Sequence, residues 1–156
     1  MDLIIVDRAE PLDRISDLLG GAGSLGKRTD DPFAAHDALE RGLPGKALHH
    51  LFDSLRIIEP SIVLDKAIGV SLRTLQRSRL EPKKALSPEQ SSRAWTFAHI
   101  LTDATDILGS QEAAERWLEQ PATALGQRAP LALLSTAAGV SLVEDLLGQM
   151  RYGVYT

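Results

Sequence analysis

The sequence has no cysteine among its 156 residues. Disulfide frameworks, thiolate zinc sites, iron–sulfur clusters and cysteine nucleophiles are excluded together. It also lacks any run approaching the roughly 18 apolar residues of a membrane span, and its first apolar run, Leu3 to Val6, is too short for a secretory signal. The expectation is a soluble, cytoplasmic protein with no membrane partner. Four histidines, His36, His49, His50 and His99, show no metal-ligand spacing, so each is read as a core or surface residue. Neither His-Glu-x-x-His nor Gly-x-Ser-x-Gly occurs. No enzyme activity, catalytic residue, metal or cofactor is expected.

What is present is an ordinary globular composition, 44% hydrophobic and 24% charged, in a chain long enough to bury roughly two-thirds of its surface. Strand-like alternation is scarce, and apolar spacing at three and four residues dominates. The fold class is therefore all-α. The net charge of −4 is unevenly spread: residues 1–60 carry 7 basic against 11 acidic side chains, residues 61–93 carry 7 against 3, and residues 94–156 carry 3 against 7. A basic segment between two acidic ones points to one face that meets an anion such as a nucleic-acid backbone.

Asp7 to Leu19 fits a first helix, with Gly20-Gly21 as its stop. The following Gly21-Ala22-Gly23-Ser24-Leu25-Gly26-Lys27-Arg28 nearly spells a phosphate-binding loop. Arg28 stands where a magnesium-binding Ser or Thr is required, and no strand precedes the loop, so it is read as a linker. A second helix is expected after an Asp31 cap and Pro32, ending near Arg41-Gly42. A third runs from Lys46 to Leu55, with Ala47, Leu48, Leu51, Phe52 and Leu55 buried.

Residues 61–79 carry a helix-turn-helix pattern. Ser61 is the expected cap of a short helix through Ala67, Gly69 is the turn, and Ser71 caps a second helix. With Leu75 anchored in the core, Arg73, Thr74, Gln76, Arg77 and Arg79 remain for the outside, the side-chain types that read base edges and phosphates. Together with Ser71, and with Lys83 and Lys84 in the next connection, they form the candidate DNA-binding set. One such unit reads only a few base pairs, so a homodimer on double-stranded operator DNA is expected.

Ser87-Pro88-Glu89-Gln90 opens a helix of about twenty residues with Ala94, Phe97, Ala98, Leu101, Ala104 and Leu108 as its stripe, widened by Trp95, Ile100 and Ile107. Gly109 ends it, and Ser110 caps a short helix through Leu118 in which Ala113, Ala114, Trp117 and Leu118 pack. From there the chain reads Trp117-Leu118, Pro121, Leu125-Gly126, Pro130-Leu131, Leu133-Leu134, Thr136, Gly139, Val143 and Gly153-Val154-Tyr155. Over about residues 110–156 this resembles the C-terminal toxin-binding domain of the Xre/MbcA/ParS antitoxin family. Residues 45–109 resemble that family's Xre-like DNA-binding part. Two positions depart from the family pattern: Gln127, where a second glycine is common, and Ala132, where a polar residue is common.

The resemblance implies an antitoxin that neutralises a RES-domain toxin, an NAD-depleting enzyme, and represses its own operon. It divides the chain into an N-terminal helical segment and linker (1–43), a helix-turn-helix domain (44–109) and a small helical toxin-binding module (110–156). Arg151, Tyr152, Val154 and Tyr155 end the chain with interface-type side chains. They are expected to cover the toxin active site, with Arg128, Gly153 and Thr156 completing the candidate toxin-binding set. In the alternative arrangement, the two tyrosines fold back onto the last helix. The alternative function is a protein–protein adaptor that no longer reads DNA.

Overall fold

A computed structural model describes residues 9–21, 25 and 31–153. Among the described residues eight α-helices follow one another: α1 (Ala9–Leu18), α2 (Pro32–Arg41), α3 (Gly45–Asp53), α4 (Pro60–Val63), α5 (Leu72–Leu80), α6 (Pro88–Leu108), α7 (Gln111–Glu119) and α8 (Ala137–Arg151). A π-turn, Leu64–Ile68, extends α4, and two 3-10 turns, Thr123–Leu125 and Pro130–Leu133, link α7 to α8. Among the described residues the only β pairing is two isolated bridges, Pro44 with Ala85 and Ala122 with Arg128. The all-α expectation holds, and no described helix is long and apolar enough to cross a membrane. The expected start of the first helix at Asp7 and nearly all of the glycine-rich linker lie outside the described residues.

Helix α6 is the mast of the molecule; α1, α2, the π-turn, α7 and α8 all pack on it. Its start is a capping box, in which the Ser87 hydroxyl accepts from the Gln90 N–H while the Gln90 side chain accepts from the Ser87 N–H. Ala94, Phe97, Ala98, Ile100, Leu101 and Ala104 are buried, and complete burial of Phe97 alone contributes roughly 1.5–3 kcal/mol. Ile100 is fully buried, as expected of a residue that widens the stripe, whereas Leu108 is half-buried at the helix end. A helix surrounded by neighbours buries more than one face.

Two boundaries differ from expectation. Helix α3 stops at Asp53, where the Ser54 N–H closes on the carbonyls of His50 and Leu51, and Leu55 is only half-buried. Ser61 caps nothing: Pro60 occupies the first helical position, Glu59 precedes it without a side-chain cap bond, and Ser61 is exposed in the first turn. In α7 the buried residues are Ala114, Glu115 and Leu118, with Ala113 and Trp117 half-buried.

Candidate nucleic-acid interface and the carboxy-terminal module

The turn between α4 and α5 is built around Gly69. Its N–H reaches the Leu64 carbonyl at 2.6 Å, closing the π-turn, and its backbone is left-handed at φ 72°. The left-handed backbone favours glycine there, and a Cβ would lie 2.4 Å from Arg93 Nη1, so the guanidinium would have to shift to admit one. Ser71 then caps α5, its Oγ accepting from the Thr74 N–H at 3.1 Å. Val63, Leu64, Ala67, Ile68, Val70 and Leu75 anchor the unit in the core.

With Leu75 and Ser78 turned inward, Arg73, Gln76, Arg77 and Arg79 are exposed and Thr74 is half-exposed. Arg73, Arg77, Arg79 and Lys83 form no ion pair among the described residues, while Lys84 meets Glu81 at 3.7 Å. The connection carrying the two lysines is pinned to the start of α3. The Gly45 N–H donates to the Lys84 carbonyl at 3.0 Å and the Lys46 N–H to the Pro82 carbonyl at 3.1 Å. Leu86 N–H donates to the Leu43 carbonyl at 2.8 Å. Thr74, Arg77, Ser78, Lys84 and Gln90 share the walls of a cavity of about 190 Å³ beside α5.

The contact that sets α5 on α3 was missed by the sequence reading. Ser78 Oγ donates to the Leu75 carbonyl at 2.6 Å and lies 2.7 Å from His49 Nε2. With its hydrogen committed, Ser78 accepts from His49, so the ring carries its proton on Nε2. Nδ1 is buried without a partner. Burial, and secondly the positive charge of Arg79, hold His49 below the ordinary histidine range. The close crossing also requires Gly45, since a Cβ there would stand 2.8 Å from Ser78 Cβ. A serine among arginines gives no sequence signal of burial; its three-residue spacing from Leu75 was the available clue.

In the C-terminal module, Gln127 is the one described non-glycine residue with positive φ, at 65°. Its N–H donates to the Ala122 carbonyl, and the Ala122 N–H to the Arg128 carbonyl, which closes the loop. Thr136 caps α8 through the Gly139 N–H at 3.0 Å. Gly139 is buried so closely that a Cβ would lie 1.9 Å from the Leu133 carbonyl oxygen. At the far end of α8, Arg151 and Gly153 are exposed, Tyr152 is 79% exposed, and Arg128 is exposed on its own loop. Tyr152 does not fold back onto the helix. Val154, Tyr155 and Thr156 lie outside the described residues.

A second unpredicted element joins the module to the rest. Glu115, with no exposed surface, accepts from the backbone N–H groups of Arg56, Ile57 and Ile58 and from the Gln111 side chain, all at 2.9–3.0 Å. Its place three residues before Leu118 was the available clue. His36, Asp37 and Glu40 form an exposed polar cluster on α2; His36 and Glu40 are an i,i+4 pair at 3.4 Å.

Comparison with known proteins finds two matching families. Residues 34–99 match the antitoxin Xre-like helix-turn-helix domain, and residues 103–153 match the antitoxin Xre/MbcA/ParS C-terminal toxin-binding domain. The chain is 32% identical over 108 residues to an Antitoxin Xre of Yersinia enterocolitica, covering 69% of this chain and 70% of that protein. An Antitoxin Xre of Pseudomonas putida is 34% identical over 84 residues, covering 54% of this chain and 52% of that one. A third, from Photorhabdus laumondii, is 28% identical over 87 residues, covering 55% and 58%.

Proposed function

This chain belongs to the Xre antitoxin family, and on that footing we propose that it neutralises a RES-domain, NAD-depleting toxin in the cytoplasm and represses its own operon as a homodimer. The observation that carries the DNA-binding half is the exposed face of α5. Among the described residues Arg73, Arg77 and Arg79 pair with no carboxylate and stand beside Thr74 and Gln76, on a helix locked in place by Leu75 and Ser78. Arginine and glutamine are the side chains best suited to guanine and adenine edges, and Ser71, Lys83 and Lys84 are placed for phosphates. A homodimer would supply the second half-site contact.

The toxin-binding half is assigned to residues 110–156, with Arg128, Arg151, Tyr152, Gly153, Val154, Tyr155 and Thr156 facing the partner. Support comes from the exposure of Arg151 and Tyr152 at the end of a helix whose other flank is buried. A RES-domain toxin is the expected partner from the resemblance of this module to the Xre/MbcA/ParS pattern. The NAD chemistry belongs to that partner, and this chain acts without catalysis of its own. Residues 44–109 form the DNA-binding domain in this reading, and residues 1–43 a separate helical segment and linker.

A promoter–reporter fusion tests the repression. The chain is expected to silence its own promoter, and Arg73→Ala with Arg77→Ala to relieve it. Full expression in the presence of the wild-type chain would leave a toxin-binding adaptor without a DNA role.

A further inference from the structure

A cavity of about 370 Å³ opens at the seam between the helix-turn-helix unit and the C-terminal module. One wall is α6, with Glu89, Ser92, Arg93 and Thr96; the other is the start of α8, with Thr136 and Val140. The half-buried Arg93 guanidinium holds the two together. Its Nη2 donates to the Ser135 carbonyl at 3.0 Å, and its Nη1 lies against Gly69. The buried Nε–H has no acceptor, and Arg93 forms no ion pair among the described residues. The guanidinium edge at the Ser135 contact is exposed, and a guanidinium held by backbone contacts without a counter-charge is ready for a carboxylate there.

We propose that this cavity is an anion pocket in which Arg93 receives an aspartate or glutamate side chain of the protein toxin. The proposal rests on the toxin-binding reading above. Three features favour a protein carboxylate over a DNA phosphate. Among the described residues Arg93 is the one cation lining the cavity, whereas Arg77 and Lys84 line the cavity beside α5. Phosphate tracks are met by several cations. The wall from Leu134 to Val140 falls inside the segment that matches the toxin-binding domain. Leu134, Ala137 and Val140 supply an apolar lining for the methylene stem of an acidic side chain, and Ser92, Thr96 and Thr136 supply hydroxyls.

Glu89 lies on the same wall one helical turn before Arg93. It forms no ion pair with Arg93 among the described residues, and its charge on the cavity wall repels an incoming carboxylate. Glu89→Gln is therefore expected to tighten the complex.

The test uses the full chain, the co-expressed product of the adjoining reading frame as toxin, and a duplex carrying the chain's own promoter. Arg93→Gln is expected to weaken toxin capture at least tenfold while promoter binding stays within twofold. Because Arg93→Gln also loses the Ser135 contact, Thr96→Glu provides a second arm. It places an internal carboxylate three residues from Arg93, filling the pocket, and is expected to weaken capture with an unchanged or raised Tm. Wild-type affinity in both variants would overturn the pocket. Loss of promoter binding with toxin capture retained would also overturn it, by assigning Arg93 to phosphate. If the wild-type chain itself captures no toxin, the toxin-binding reading falls, and the pocket with it.

Discussion

The Glu115 carboxylate brackets the backbone N–H of Arg56, with both oxygens 3.0 Å from the nitrogen. One of these oxygens also accepts from Ile57 and Ile58. Glu115 thus closes the connection between α3 and α4 from a position on α7. This ties the helix-turn-helix unit to the module that follows it. Each donor left without an acceptor in a buried site costs about 1–3 kcal/mol. Glu115→Ala is therefore expected to cost about 3 kcal/mol or more in urea unfolding, and Glu115→Gln, which keeps one oxygen, less. A cost under about 1 kcal/mol for the alanine variant would show that water replaces the carboxylate.

The α5 face makes a graded prediction. Replacing Arg73 or Arg77 by Ala at a base contact should cost about 1–3 kcal/mol of operator affinity and relax the preference for the cognate sequence. Replacing Lys83 should weaken cognate and unrelated duplexes alike and flatten the salt dependence. Fluorescence anisotropy across a salt series separates the two behaviours. Affinity independent of salt would contradict phosphate contact altogether.

His49 predicts the pH response. Its folded pKa lies below its ordinary value of 6.5, so in the interval between the two the unfolded chain holds a proton that the folded chain does not. The contribution is complete above 6.5 and is lost as pH falls from 6.5 toward the folded value. Protonation would also place a hydrogen on buried Nδ1, which has no acceptor. His49→Gln should lose less stability than wild type between pH 7.5 and 5.5, measured by denaturant midpoints. Parallel curves would remove His49 from the account.

Gln127 sits at φ 65°, in the left-handed region that favours glycine. A left-handed non-glycine residue costs roughly 1–2 kcal/mol, partly offset by the greater unfolded-state freedom that glycine would bring. Gln127→Gly should therefore raise stability by about 0.5–1 kcal/mol, read as a higher Tm. A fall in Tm would mean that the Gln127 side chain, 3.4 Å from Thr123 Oγ1, contributes more than the backbone costs.

Much of this architecture was legible because it is local. Asp31 with Pro32, Ser71, Ser87 with Pro88, and Ser110 each announce a helix start by chemistry confined to four residues. Leu75 separated the inner from the outer face of α5 by period alone. The illegible features depend on partners far along the chain. Ser78 is buried because His49 and Gly45 meet it, and Glu115 because three N–H groups converge on it from about 57–59 residues away. Ser61 misled because its capping chemistry was available while Pro60 already occupied the first turn.

The central claim is that residues 110–156 neutralise a toxin through the exposed end of α8. The direct measurement is growth of cells expressing the product of the adjoining reading frame together with this chain or with a form ending at Met150. Full-length chain should restore growth and form a stable complex, and the shortened form should fold but fail to rescue. Rescue by the shortened form would move the contact away from Arg151 and Tyr152, and failure of both, with the toxin active, would contradict the antitoxin reading.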